Sequence, residues 1–140
     1  MDTFARLPAP ERTFWEKATI LHAEYHRPAE RSLPGRLSRH YYDLFQLRQK
    51  KIHTRAMENL VLLQEVADHK NLFFPCAWAR YQDSYLKQLH LAPPSHRVPA
   101  LQADYKNMAL MFFEPPPTFG EIMESLAELE TAVNRALPPP

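Results

Sequence analysis

The chain has 140 residues, 45% of them hydrophobic and 24% charged, with a formal net charge of +1. That length fits one domain able to bury roughly two-thirds of its unfolded surface, and the balance is ordinary for a globular protein. No apolar run approaches the ~20 residues of a membrane span, and the single cysteine, Cys76, excludes an internal disulfide or a multi-cysteine zinc site.

The N-terminus, "MDTFARLPAPER", has an acid at position 2 and lacks the apolar stretch of a secretory signal, so a cytoplasmic location is expected. Glycine occurs only at Gly35 and Gly120, whereas fourteen prolines fall in clusters, which predicts helices joined by stiff loops. After "LPAP", Phe14, Ala18, Leu21 and Tyr25 follow the i, i+4, i+7, i+11 spacing of a helix that Pro28 ends. "SLPG" makes a turn, and Leu37, Tyr41, Leu44 and Phe45 mark a second amphipathic helix from Arg36 to about Lys51. A third runs from Thr54, read as its N-cap, through "RAMENLVLLQEVADH".

The 27 residues 71–97 lose the helical period and mix aromatics with prolines. They predict a long irregular connection with a short helix near Pro75 to Tyr81, held in place by the packing of Phe73, Phe74, Trp78 and Tyr81. Val98 to about Phe113 forms the fourth helix, with Leu101, Tyr105, Met108 and Phe112 as its stripe. The last opens at Thr118, with Glu121 at capping-box spacing, and carries Ile122, Leu126, Leu129 and Val133. No stretch alternates with the period of a strand, so the expected fold class is all-α, about five helices in a single domain over residues 1–140.

The small net charge conceals an asymmetry: residues 1–55 hold eleven Lys/Arg against six acids, a net of +5, and residues 56–140 a net of −4. Arg31, Arg36, Arg39, Arg48, Lys50, Lys51 and Arg55 share their stretch with one acid, Asp43, and would either attract phosphates or form a solvated face. His22 and His26 are four apart on the first helix, a spacing that can hold a metal with a third ligand such as His40. "HAEYH" is not HExxH, however, and surface or interface histidines are the simpler reading. Lys17 lies at the margin of the apolar stripe, either snorkelling to water or aimed at a phosphate. Asp43 has Arg39 and His40 one turn away, which makes it either half of an intrahelical ion pair or a carboxylate available for metal or proton work. No G-x-S-x-G context and no glycine-rich phosphate loop is present.

"PERTFWEKATILHAEYHR" followed by "RLSRHYYDLFQL" resembles the later part of the AbiEii/AbiGii-type nucleotidyltransferase toxins of type IV toxin-antitoxin and abortive-infection systems. The resemblance continues through "DHKNLFFPCAWARY" and "LQADYKNMALMFFEPPPTFGEIMESLAELETAVN". It implies a largely helical region that follows an α/β nucleotidyltransferase domain, and transfer of a nucleotidyl group from an NTP with Mg²⁺, onto tRNA in some members. It also implies a cognate antitoxin. The family's lysine in its "EK…L" helix corresponds to Lys17 and its aspartate in an "R…YDL" helix to Asp43. The implied site has Asp43 as a catalytic or metal-adjacent carboxylate and Lys17 as a phosphate or nucleotide contact; the chain's own basic surface adds Arg36 and Arg39 as expected nucleotide-binding residues.

One departure shapes the expectation. Nucleotidyl transfer needs carboxylates at D-x-D spacing to hold Mg²⁺, after a Gly-Ser turn, but the aspartates at 2, 43, 68, 83 and 104 are never two apart and neither glycine precedes serine. Glu128 and Glu130 have the spacing, yet positions two apart on a helix diverge. The chain is therefore expected to hold no metal alone and to be the truncated or split helical half of such a toxin. It would act with a separate N-terminal nucleotidyltransferase half. The alternative is a helical interaction module that binds a protein partner or a second copy as a homodimer, covering apolar surface left without its missing domain.

Overall fold

The computed structural model describes residues 9–112 and 114–140. The acid at position 2 and Phe113 lie outside them, but the fourth predicted helix already ends at Ala109, so Phe112 of its expected stripe lies beyond the helix. Among the described residues there are six α-helices and no strand. They are α1 (Ala9–Tyr25), α2 (Ser38–Gln49), α3 (Ile52–Met57), α4 (Leu60–Phe73), α5 (Val98–Ala109) and α6 (Phe119–Ala136). Tyr81–Tyr85 and Ser95–Arg97 form short 3₁₀ helices. None of the helices is long and apolar enough to cross a membrane.

Helix α1 is the hub, packed against α2, α3 and α4, while α2 also packs against α5 and α6. The expected stripe accounts for this placement. Phe14, Ala18 and Leu21 are buried, as are Tyr41, Leu44 and Phe45 of α2 and Ile122, Leu126, Leu129 and Val133 of α6. Each large apolar side chain buried in this way contributes roughly 1.5–3 kcal/mol. Trp15, one residue off the stripe, is also fully buried, and its indole N–H donates to the Ala56 carbonyl at 3.1 Å. That bond satisfies the one polar atom of a large apolar group and ties α1 to α3.

The third predicted helix is two. Lys51 adopts a left-handed backbone (φ 62°) that closes α2 and starts α3 before Thr54, so Thr54 is not a cap. Asn59 (φ −129°, ψ 67°) then breaks the helical path and opens α4. Neither glycine has positive φ; the left-handed positions are Arg36, Lys51, Arg80 and Lys87. At the start of α6 the Thr118 hydroxyl accepts the Glu121 backbone N–H at 3.1 Å, as its spacing predicts.

The irregular connection matches the expectation in part: Trp78 and Tyr81 are half-buried, with Arg27 over the Trp78 ring at 4.8 Å and Lys70 over the Tyr81 ring at 5.9 Å. Phe73 and Phe74 are 61% and 66% exposed beside the equally exposed Leu72, so they do not pack the loop. No short α-helix forms at 75–81; the 3₁₀ helix begins at Tyr81. Polar side chains of α6 hold the backbone of residues 89–92. The Asn134 amide accepts from the Leu89 N–H and donates to the Leu89 carbonyl, both at 3.0 Å. One Glu130 carboxylate oxygen accepts the N–H groups of Leu91 and Ala92 at 2.6 and 3.2 Å. With those backbone groups paired, Leu89 and Leu91 can enter the core.

Candidate functional site

Packing α1 against α2 brings Lys17 and Asp43 into contact. The Lys17 ammonium lies 3.0 Å from Asp43 Oδ2 and 3.1 Å from His40 Nδ1. A lysine ammonium has only donors, so His40 Nδ1 is the acceptor and the ring proton sits on Nε2. His40 is half-buried, and desolvation, reinforced by the Lys17 charge, holds its pKa below the ordinary histidine value. Thr13, Lys17, Tyr42, Asp43, Gln46, Leu47 and Lys50 line an open groove of about 390 Å³ here. Asp43 thus pairs across the helix interface rather than with Arg39 one turn away.

Lys70 of α4 also reaches α1: its ammonium donates to the Glu16 carbonyl at 2.9 Å and to the Thr19 hydroxyl at 2.6 Å. Burial pushes its pKa down to about 8, partly offset by the Glu16 charge, with Lys17 adding to the depression. The Thr19 hydroxyl donates on to the α1 carbonyls of Trp15 and Glu16, at 2.9 and 3.0 Å. A cation is thereby fastened to the helix turn that bears Lys17.

Arg36 and Arg39 lie elsewhere. They are exposed and line a cavity of about 380 Å³ with Asp104, Asn107, Met108 and Met111 of α5 and the residues beyond it. Asp104 accepts the backbone N–H groups of Arg36 and Ser38 at 3.0 and 2.8 Å, capping α2 from a neighbouring helix. Tyr42 reaches from the Lys17 groove toward α5, its ring stacked on Phe112 at 4.8 Å. A third cavity, about 500 Å³, sets Arg48, Lys51 and His53 against Glu121, Glu124 and Glu128. Arg48 there donates to the Ser125 carbonyl at 2.7 Å and pairs with Glu128 at 3.3 Å, so part of the basic half is neutralised by the acidic half.

The His22/His26 pair forms a structural knot, joined by His90. His22 is fully buried; its Nε2–H donates to the Arg80 carbonyl at 2.8 Å and its Nδ1 accepts the His90 backbone N–H at 3.1 Å. Both nitrogens are engaged, which leaves no lone pair for a metal. Burial is the main reason its pKa falls to about 4. His26 Nδ1–H donates to the His22 carbonyl at 3.0 Å, and His90 stacks flat on Tyr25 at 3.7 Å. His40, the suggested third ligand, sits instead with Lys17.

The helical period could have added Thr13, a turn before Lys17, and Gln46 and Lys50, one and two turns after Asp43. Nothing in a single sequence signals the long-range approach of Lys70 to α1.

A family model described as Nucleotidyl transferase AbiEii toxin, Type IV TA system, matches residues 3–134. No curated protein and no solved structure matches the chain. A type IV toxin-antitoxin family implies an antitoxin as partner. Matched over nearly its whole length, the chain belongs to the AbiEii nucleotidyltransferase toxin family.

Proposed function

We propose that this chain is the helical half of an AbiEii-like nucleotidyltransferase, supplying Lys17 and Asp43 to a composite site whose Mg²⁺-binding carboxylate pair comes from a nucleotidyltransferase domain outside residues 1–140. The observation that carries the reading is the Lys17–Asp43 contact at 3.0 Å on the wall of an open groove that Lys50 also lines. Two lysines there favour a polyphosphate, and Asp43 limits how far Lys17 can swing. The basic cavity of Arg36 and Arg39 offers a second phosphate contact, suited to the backbone of an acceptor tRNA.

A Mg²⁺ ion of its own does not fit this groove. Asp43 is the one carboxylate on its wall and already faces an ammonium, whereas Mg²⁺ usually takes one or two carboxylates together with substrate phosphates. The other described aspartates are engaged elsewhere: Asp68 with Tyr85, Asp83 with Arg80, Asp104 with the start of α2. Residues of this chain therefore bind and orient, and no metal step is assigned to them.

The exposed Leu72, Phe73 and Phe74 favour a second reading, an interaction module without catalytic role. Mixing the chain with a nucleotidyltransferase domain that carries G-S and D-x-D separates the two. The proposal expects NTP-dependent labelling of tRNA that neither component gives alone and that Lys17→Ala or Asp43→Ala abolishes. No labelling in the mixture, or labelling that survives both substitutions, supports the interaction module.

A further inference from the structure

The Lys17 ammonium has three N–H donors, and two are accounted for: one on Asp43 Oδ2 at 3.0 Å and one on His40 Nδ1 at 3.1 Å. Asp43 and His40 are three apart on α2, so one helical turn presents both acceptors to a side chain arriving from α1. A lysine held by a single carboxylate can pivot about that contact. Two acceptors from one rigid helix fix the direction of the remaining N–H.

We propose that His40 is a positioning residue for Lys17, its Nδ1 lone pair acting with Asp43 to aim the third ammonium N–H into the groove bounded by Thr13, Gln46 and Lys50. The inference rests on the reading of Lys17 as a phosphate ligand and deepens it, assigning a role to a histidine that touches no phosphate itself. The charged groups around the imidazole are Lys17 and Glu24 of α1, Asp43 of its own helix and Lys70 of α4. Lys17 is the strongest of them and, with burial, keeps the ring neutral and hence an acceptor. Nitrogen Nδ1 lies at the reach of an asparagine side-chain oxygen, which supplies a test that separates the acceptor from the ring.

Inorganic triphosphate is titrated into the full chain, wild type and the Lys17→Met, His40→Asn and His40→Leu variants, at pH 7.5, with the order of the Lys17 side chain followed by NMR of its terminal methylene. The wild type and His40→Asn should bind alike with an ordered Lys17. His40→Leu should bind roughly ten-fold more weakly, the loss of about one charge-assisted hydrogen bond, with a disordered Lys17. Equal binding by His40→Leu and the wild type, with Lys17→Met weak, overturns the role of His40 alone. Failure of His40→Asn to restore binding assigns the effect to ring packing and also overturns it. If Lys17→Met binds like the wild type, the phosphate reading of Lys17 falls. The NMR order then judges His40 by itself, and an unchanged Lys17 in His40→Leu refutes the positioning.

Discussion

His22 makes the stability of this fold depend on pH in a calculable way. The imidazole is fully buried with both nitrogens engaged, and its pKa falls from 6.5 to about 4. In the unfolded chain the ring binds a proton below pH 6.5, whereas the folded chain refuses it until about pH 4. Stability from this group is therefore complete above pH 6.5 and is lost as pH falls toward 4. At ~1.4 kcal/mol per pH unit the loss reaches roughly 3 kcal/mol by pH 4, set against ~5–15 kcal/mol for a typical domain. His22→Gln cannot titrate, and its amide still reaches the Arg80 carbonyl. It gives up the acceptor for the His90 N–H, at a cost of about 1–3 kcal/mol at pH 7. Urea unfolding followed by fluorescence of Trp15 and Trp78 at pH 7, 5 and 4 compares the two proteins, with the other titrating groups common to both. The wild-type advantage should vanish or reverse by pH 4. A constant gap between parallel profiles would refute the reasoning.

Lys70 behaves in the opposite range of pH. Its pKa of about 8 means that NMR of its terminal methylene should titrate near pH 8, and that stability should rise as pH climbs from 8 towards 10.5. Titration above pH 10 would show that the two hydrogen bonds offset burial completely. Thr118→Ala removes the cap of α6 and should cost about 1 kcal/mol in urea unfolding; no change would mean that water replaces the hydroxyl. Phe73→Ser and Phe74→Ser should each change stability by under about 0.5 kcal/mol, against ~3–5 kcal/mol for Phe14→Ala. A large cost at Phe73 would restore the packing role that its exposure denies.

Much of the fold was legible because the helices are amphipathic with consistent spacing. The stripes of α1, α2 and α6 name residues that are now buried, except Tyr25 at the end of α1, which is half-buried, and Thr118 caps where its spacing placed it. The break between α3 and α4 was not legible: no proline or glycine marks Asn59, and the sequence on either side favours helix. Of the four aromatics expected to pack the irregular connection, Trp78 and Tyr81 are half-buried, whereas Phe73 and Phe74 misled because an apolar side chain predicts burial only on average. The connection's backbone anchors, Glu130 and Asn134, are polar residues one turn apart on a distant helix. Lys17 and Asp43 were legible one by one, from helical position and family resemblance, but their contact depends on how α1 meets α2. Arg36 and Arg39 were grouped with them by charge, and the structure sets those two along α5 instead.

If Lys17 and Asp43 work as one unit, their substitutions are not independent. The deciding measurement is the rate of NTP-dependent tRNA labelling by the chain mixed with a nucleotidyltransferase domain that carries G-S and D-x-D, for Lys17→Ala, Asp43→Ala and the double variant. The account predicts a large loss in each single variant and no further loss in the double, because the partners lie 3.0 Å apart and removing either leaves the other misplaced. Losses that multiply in the double variant, or labelling that none of the three substitutions slows, would contradict it.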